Sequence, residues 1–171
     1  MLKTVLFSVN STSCKSLSTV YVIDTGNKKW GTPYLTRDFF NIIHERMPEK
    51  IVLMMCRNNG RYVAGALNFL GKDTLFGRHW GCIEEHDCLH FEVCYYQAIE
   101  FAIKNGLSFV EAGAQGSHKL QRGYMPEKTW SLHWIKNKKF KEAISHYLDE
   151  EISIMNKEKK DLEQFAPFKE I

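Results

Sequence analysis

Between Lys50 and Ile83 unbroken apolar runs alternate with short polar turns. "KIVLMMCR" leads through "NNGR" to "YVAGALNFL", and "GKD" leads on to "TLFGRHWGCI". Asn59-Gly60 and Gly71-Lys72-Asp73 are residues that tight hairpins demand, so an antiparallel meander over roughly 51–83 is predicted. Upstream, "TRDFFNIIHERM" has helical spacing. Thr36 is its expected N-cap, Asp38 lies in its first turn, and Phe39, Ile42, Ile43 and Met47 share one face before Pro48 stops it. Downstream, Asp87 of "EEHD" is the expected N-cap of a second helix, "CLHFEVCYYQAIEFAIKNG". Its apolar stripe is Phe91, Cys94, Tyr95, Ala98, Phe101 and Ala102, and Gly106 ends it.

The C-terminal third predicts a strand at "LSFVEAGA", a loop or short helix at "QGSHKLQRGY" and a strand at "TWSLHWI". An amphipathic helix follows from Lys138 to about Phe165, with Phe140, Ile144, Tyr147, Leu148, Ile152 and Met155 inward. At the N-terminus "TVLFSV" and "TVYVI" each read as strands around a Ser/Thr-rich stretch, and "DTGNKKWGTPY" is a turn-rich connector. Residues 1–28 form a leader of undetermined structure and residues 29–171 one domain. The order of elements predicts an α/β fold with a mixed sheet. The strand–helix–strand step inserted after the meander makes its one parallel pair.

Composition narrows the picture without redirecting it. A chain of 171 residues with 44% apolar and 25% charged residues is that of an ordinary soluble domain. A net charge of +3, spread along the chain, gives no reason to expect a DNA-binding surface. The basic run Lys136, Lys138, Lys139 and Lys141 reads as a solvated helix start, with a phosphate or RNA patch as the alternative. The five cysteines show no paired spacing, and no stretch is long enough to cross a membrane, so free thiols in a reducing cytoplasm are expected. Cys82, His86, Cys88, His90 and Cys94, with His79, lie close in sequence. Their spacing lacks the tight cysteine pairs of zinc sites, and no metal is expected.

The phrases "KWGTPYLTRDFF", "VAGALNFLGKDTLFGRHWGC", "LHFEVCYYQAIEFAI" and "VEAGAQGSHKLQRGY" resemble the Fem-like proteins of peptidoglycan biosynthesis or recognition, a branch of the GNAT acyltransferase superfamily. The resemblance spans most of residues 29–135 and is to the C-terminal half of a family whose members carry two GNAT-like halves. It implies a GNAT acyl-CoA N-acyltransferase-like fold and the transfer of an acyl or aminoacyl group to an amine. The acceptor would be a small molecule or a peptidoglycan precursor. The donor would be an acyl-CoA or an aminoacyl-tRNA, with no cofactor tightly bound. A chain resembling one half alone also permits a non-catalytic remnant or binding module, or a homodimer that replaces the other half.

In such a fold two parallel strands splay apart, and the gap admits the acyl donor. Here it would open between "TLFGRHWGCI" and "LSFVEAGA". Strand alternation sets Phe109, Glu111 and Gly113 on one face. Glu111 is the candidate base or amine anchor; the alternative is a structural ion pair with Lys119 or Arg122. His118 is a candidate proton relay or a plain loop histidine. Gln115, Lys119 and Arg122 are candidate substrate contacts, the two cations suited to a phosphate or carboxylate. Arg122-Gly123-Tyr124 resembles the basic-x-Gly-aromatic segment of Fem-type transferases, with Gln121 where those enzymes often have lysine. Tyr124 either protonates a leaving group or packs as an aromatic. Arg78, Trp80, His90 and Glu92 complete the candidates: Arg78 and Trp80 share one face of their strand and either position a substrate or serve as a rim salt bridge and a core aromatic, and His90 and Glu92 either reach the cleft mouth or cap the helix. "GCIEEHDCLHFE" lacks the glycine-rich turn that holds the pyrophosphate of acetyl-CoA, and Glu84, Glu85 and Asp87 repel anions there. This shifts the expectation toward an aminoacyl or other acyl donor.

Overall fold

The computed structural model describes residues 2–8, 34–113 and 117–168. The chain divides into two units, residues 1–114 and 115–171. The strand "TVYVI" and Gln115 fall outside the described residues.

The first unit is built on a five-stranded sheet in the order β1-β2-β3-β4-β5. Strands β1 (Leu2–Ser8), β2 (Ile51–Asn58), β3 (Arg61–Leu70) and β4 (Thr74–Cys82) pair antiparallel in sequence order. β5 (Phe109–Glu111) lies parallel to β4, giving the mixed sheet the sequence predicts. The turn between β2 and β3 is made by Asn59 and Gly60, at φ 48° and 85°, a backbone that glycine and asparagine tolerate best.

Helix α1 (Arg37–Arg46) covers one face of the sheet. The Thr36 hydroxyl accepts from the Phe39 amide at 3.4 Å, as a capping threonine should. Its buried residues are Phe40 and Ile43, packed on Ile51, Leu53, Met55 and Leu67, while Ile42 is exposed. The predicted face is therefore rotated: Phe40, not Ile42, enters the core. The opposite face of the sheet carries Val52, Met54, Cys56, Ala66 and Leu75 against Leu89, Val93, Ala98 and Phe101 of α2. Because β2 is covered on both sides, its apolar run from Ile51 to Cys56 is buried without a break.

Helix α2 opens as Leu89–Phe91, continues as a π-helical segment Glu92–Tyr96 and closes as Gln97–Lys104. It corrects two expectations. The N-cap is Cys88 in the left-handed region, with no side-chain cap, so Asp87 does not cap it. The π segment adds a residue to the turn, and the buried positions run Leu89, Val93, Tyr95, Ala98 rather than at a uniform helical spacing. A uniform helical period had placed Cys94 inward and passed over Val93. Val93 is in fact fully buried, and Cys94 only partly so. Gly106, at φ +64°, ends the helix as predicted.

The second unit holds a 3-10 helix (Ser117–Arg122) and the long helix α3 (Lys138–Glu163). The Asn137 side chain caps α3 by accepting from the Phe140 amide at 3.1 Å. The Phe168 ring lies directly over Gly123, whose φ is +81°, and Lys159 bridges Glu127 at 3.1 Å. Two expectations fail here. Thr129–Ile135 is irregular rather than a strand. The apolar face of α3 is not inward: none of its residues is buried, and Phe140, Tyr147, Leu148, Ile152 and Met155 are exposed. A strand forms only with a partner for its backbone groups, and among the described residues none pairs with this segment. No helix of the described residues is long and apolar enough to cross a membrane.

Candidate functional site

Among the described residues β4 and β5 share three residue pairs, Thr74–Phe109, Leu75–Val110 and Phe76–Glu111. β4 runs on to Cys82. From Gly77 onward its edge has no strand partner among the described residues, leaving backbone N–H and C=O groups outside the ladder. Gly77 marks the parting point: a Cβ there would meet the Glu111 carbonyl oxygen at 3.1 Å and the Ala112 Cα at 3.7 Å. Gly113, at φ +78°, then takes the β5 chain out of its extended path.

A bulge reinforces the break. On the other side of β4, Leu67 pairs with His79 and Asn68 with Gly77, so Arg78 is an extra residue in the strand. Bulges bend a strand and re-aim its groups, and they concentrate beside functional sites. The π segment of α2 lies opposite, and such segments share that tendency. Together they leave a cavity of about 110 Å³ on the α2 side of the sheet. Ala66 and Asn68 line it from β3, Gly77 to Trp80 from β4, His90, Cys94 and Tyr95 from α2, and Ala112 from just beyond β5.

Of the predicted residues, Arg78, Trp80 and His90 therefore come together. The Trp80 and His90 rings are 5.3 Å apart, and Tyr95 meets His90 edge-on at 5.5 Å. Arg78 also donates to the Tyr34 hydroxyl at 3.1 Å. Glu92 does not line the cavity; its carboxylate accepts from the Gln97 amide at 2.8 Å. Nor does Glu111. Val110 packs into the core on the α2 side, so alternation sets Phe109 and Glu111 on the opposite face, where both are exposed. Glu111 marks the rim of the gap and Ala112 faces the cavity.

The remaining candidates belong to the second unit. Arg122 donates to the His118 carbonyl at 2.8 Å, which closes the 3-10 turn. Partial burial of Lys119 lowers its ammonium pKa. Tyr124 follows Gly123 and its hydroxyl is buried.

Sequence reasoning missed Asn68, His79 and Ala112 and read Cys94 and Tyr95 as plain core. One signal was available for Asn68: a carboxamide inside the apolar run "YVAGALNFL". Among the described residues no group of His, Cys, Asp and Glu side chains is arranged to hold a metal ion.

A profile of the FemAB-like family, described as peptidoglycan biosynthesis/recognition, matches residues 7–170. A comparison with curated proteins found no match. Among solved structures, the chain is similar to a ribosomal-protein-alanine N-acetyltransferase from Brucella melitensis biovar Abortus 2308. That pair is 14% identical with a TM-score of 0.55, covering 80% of this chain and 98% of the other. An aminoglycoside acetyltransferase from an uncultured soil metagenomic sample, in complex with sisomicin, is 10% identical with a TM-score of 0.53, covering 80% and 95%. The aminoglycoside N-acetyltransferase AAC(6')-Iy in complex with CoA is 8% identical with a TM-score of 0.53, covering 81% and 95%. At these identities the likeness is one of fold.

Proposed function

The chain belongs to the FemAB-like family, and from that premise we propose that it transfers an acyl group from an activated donor to an amine in the gap between β4 and β5. One observation carries the reading: two parallel strands part after three pairs, beside a cavity built by a bulge and a π turn. Acyl transfer needs preformed hydrogen-bond donors where negative charge develops on the carbonyl oxygen. Beyond Phe76 the β4 edge has no strand partner among the described residues, and backbone N–H groups such as that of Arg78 are our candidates for that role.

The attacking nitrogen forms a bond to the acyl carbon, the bond to the departing sulfur or oxygen breaks, and the amine's surplus proton must leave. Glu111, the last paired residue of β5 and on the face of the sheet away from the cavity, is our candidate to take that proton through the gap or to anchor the ammonium beforehand. A general base of this kind contributes about 10²–10⁴-fold in rate. Trp80 and His90 wall the reacting groups, and Arg78 borders them. In the second unit, Lys119 and Arg122 are the residues we assign to an anionic group of a ligand, and His118 and Tyr124 to proton transfer. The donor is an acyl-CoA or an aminoacyl-tRNA. A peptidoglycan precursor is the acceptor that the family's description suggests.

The test incubates the full chain with acetyl-CoA or aminoacyl-tRNA and either a peptidoglycan-precursor peptide or sisomicin, following the acceptor's mass. The expected result is addition of one acyl group, reduced about 10²–10⁴-fold in Glu111→Gln. Binding without any mass gain across donors and acceptors would replace the transferase with a binding module.

A further inference from the structure

We infer that Asn68 is a recognition residue of the cavity, its side-chain oxygen accepting a hydrogen bond from an N–H group of the bound substrate. This rests on the cavity being the transfer site proposed above. Asn68 lies on β3 and is only 1% exposed, beside Val52 and Ala66. Its Nδ2 donates to the Val52 carbonyl at 3.3 Å and to the Ala66 carbonyl at 3.4 Å. Those two contacts fix which end of the amide is nitrogen, because the flipped amide would set its oxygen against two carbonyl oxygens. The amide nitrogen thus faces two carbonyls inside the protein.

The carbonyl end differs. Oδ1 accepts no hydrogen bond from the described residues, and it lies 3.7 Å from the place a Cβ on Gly77 would occupy, in the lining of the cavity. A buried carboxamide with its nitrogen turned to protein carbonyls and its oxygen turned to a cavity presents an acceptor there. It attracts N–H and repels carbonyl, carboxylate and phosphate oxygens.

That polarity orients a ligand. Past Phe76, where β4 has no strand partner among the described residues, its backbone N–H groups suit a carbonyl oxygen, and Asn68 opposes an oxygen on its own side. The cavity therefore discriminates the two ends of an acyl-transfer pair, with oxygen toward β4 and nitrogen toward β3. The shared chemistry is an N–H donor, which has two sources: the attacking amine, or an amide in the arm of the acyl donor.

Small probes suited to this cavity separate these cases without requiring the natural substrate. Nuclear magnetic resonance on the full chain follows the Asn68 side-chain amide pair during titration with methylamine, with N-methylacetamide, and with methyl acetate, which resembles the amide but has no N–H. The expected result is a saturable shift with methylamine or N-methylacetamide and none with methyl acetate; which of the two acts identifies the source. Equal response to methyl acetate, or response to none of the three, overturns the proposal. Asn68→Leu, of similar size but without the acceptor, is expected to weaken binding of the active probe at least about tenfold. Unchanged affinity overturns it. Should Asn68→Leu not fold, the wild-type titration decides alone. Retained probe selectivity in a protein that never acylates an amine would sink the transferase reading and leave this assignment standing.

Discussion

Glu84 illustrates how a single residue's neighbours set its chemistry. Its carboxylate accepts from Asn58 at 3.0 Å and meets His86 at 3.2 Å, and these hydrogen bonds hold its pKa below the ordinary carboxylate value. A depressed folded pKa means that the contribution to stability is complete above the unfolded value. It is lost as the pH falls through the lower, folded one. Melting curves of wild type and Glu84→Gln should therefore differ at neutral pH and converge in acid. Cys82 shows the opposite shift: burial, and the nearby Glu85, push its thiol up. Since the thiolate is the reactive form, Cys82 should alkylate more slowly than the exposed Cys88 when intact protein is treated with iodoacetamide and digested for mass spectrometry. Equal rates would mean that the loop before α2 opens in solution. Little of this was legible in sequence, because partners such as Asn58 and Glu84 lie far apart along the chain and meet only through the sheet.

Elements were read best where a local rule governs them. The hairpin turn at Asn59-Gly60, the Thr36 cap and the Gly106 stop all follow from short-range backbone chemistry, and each stands where the pattern set it. The π segment of α2 did not show itself, since a five-residue step inside an apolar helix looks like a change of face. That step buries Val93 and brings Tyr95 and Cys94 to the cavity. Gly77 gives the parting of β4 and β5 a direct test. A valine there would push its Cβ against backbone at 3.1 Å, where no flexible side chain can yield. Gly77→Val should leave the α1-side core in place and abolish probe binding in the cavity, read by calorimetry. Leu53, fully buried between α1 and the sheet, is the control for the core itself. Leu53→Ala should cost about 2–5 kcal/mol in denaturant unfolding.

The two units of the whole molecule differ in how they bury apolar surface. The first has a sheet covered on both faces, with cores on either side. In the second, Trp130, Leu132 and Trp134 are 85%, 100% and 83% exposed, and the apolar residues of α3 remain open. Large exposed apolar groups of this kind mark interaction surfaces or aggregation liabilities. Tryptophan emission should accordingly contain a water-exposed, easily quenched component that the double substitution Trp130→Phe, Trp134→Phe removes. A blue-shifted, acrylamide-resistant signal from those two residues would mean that they are covered in solution.

The sequence alone determined the order of elements from α1 through β5, the antiparallel meander, the parallel step after it and the family resemblance, because periodicity, turn residues and long distinctive strings are local properties. Tertiary structure decided which side of β5 faces the cavity, so that Ala112 rather than Glu111 lines it, and how an extra residue in β4 and another in α2 open the space. It also decided that Asn68 turns its amide nitrogen inside and presents its acceptor to the cavity. Strand alternation assigns residues to two faces but does not say which face meets the helix. A bulge or a π turn exists only through the strand or helix it packs against.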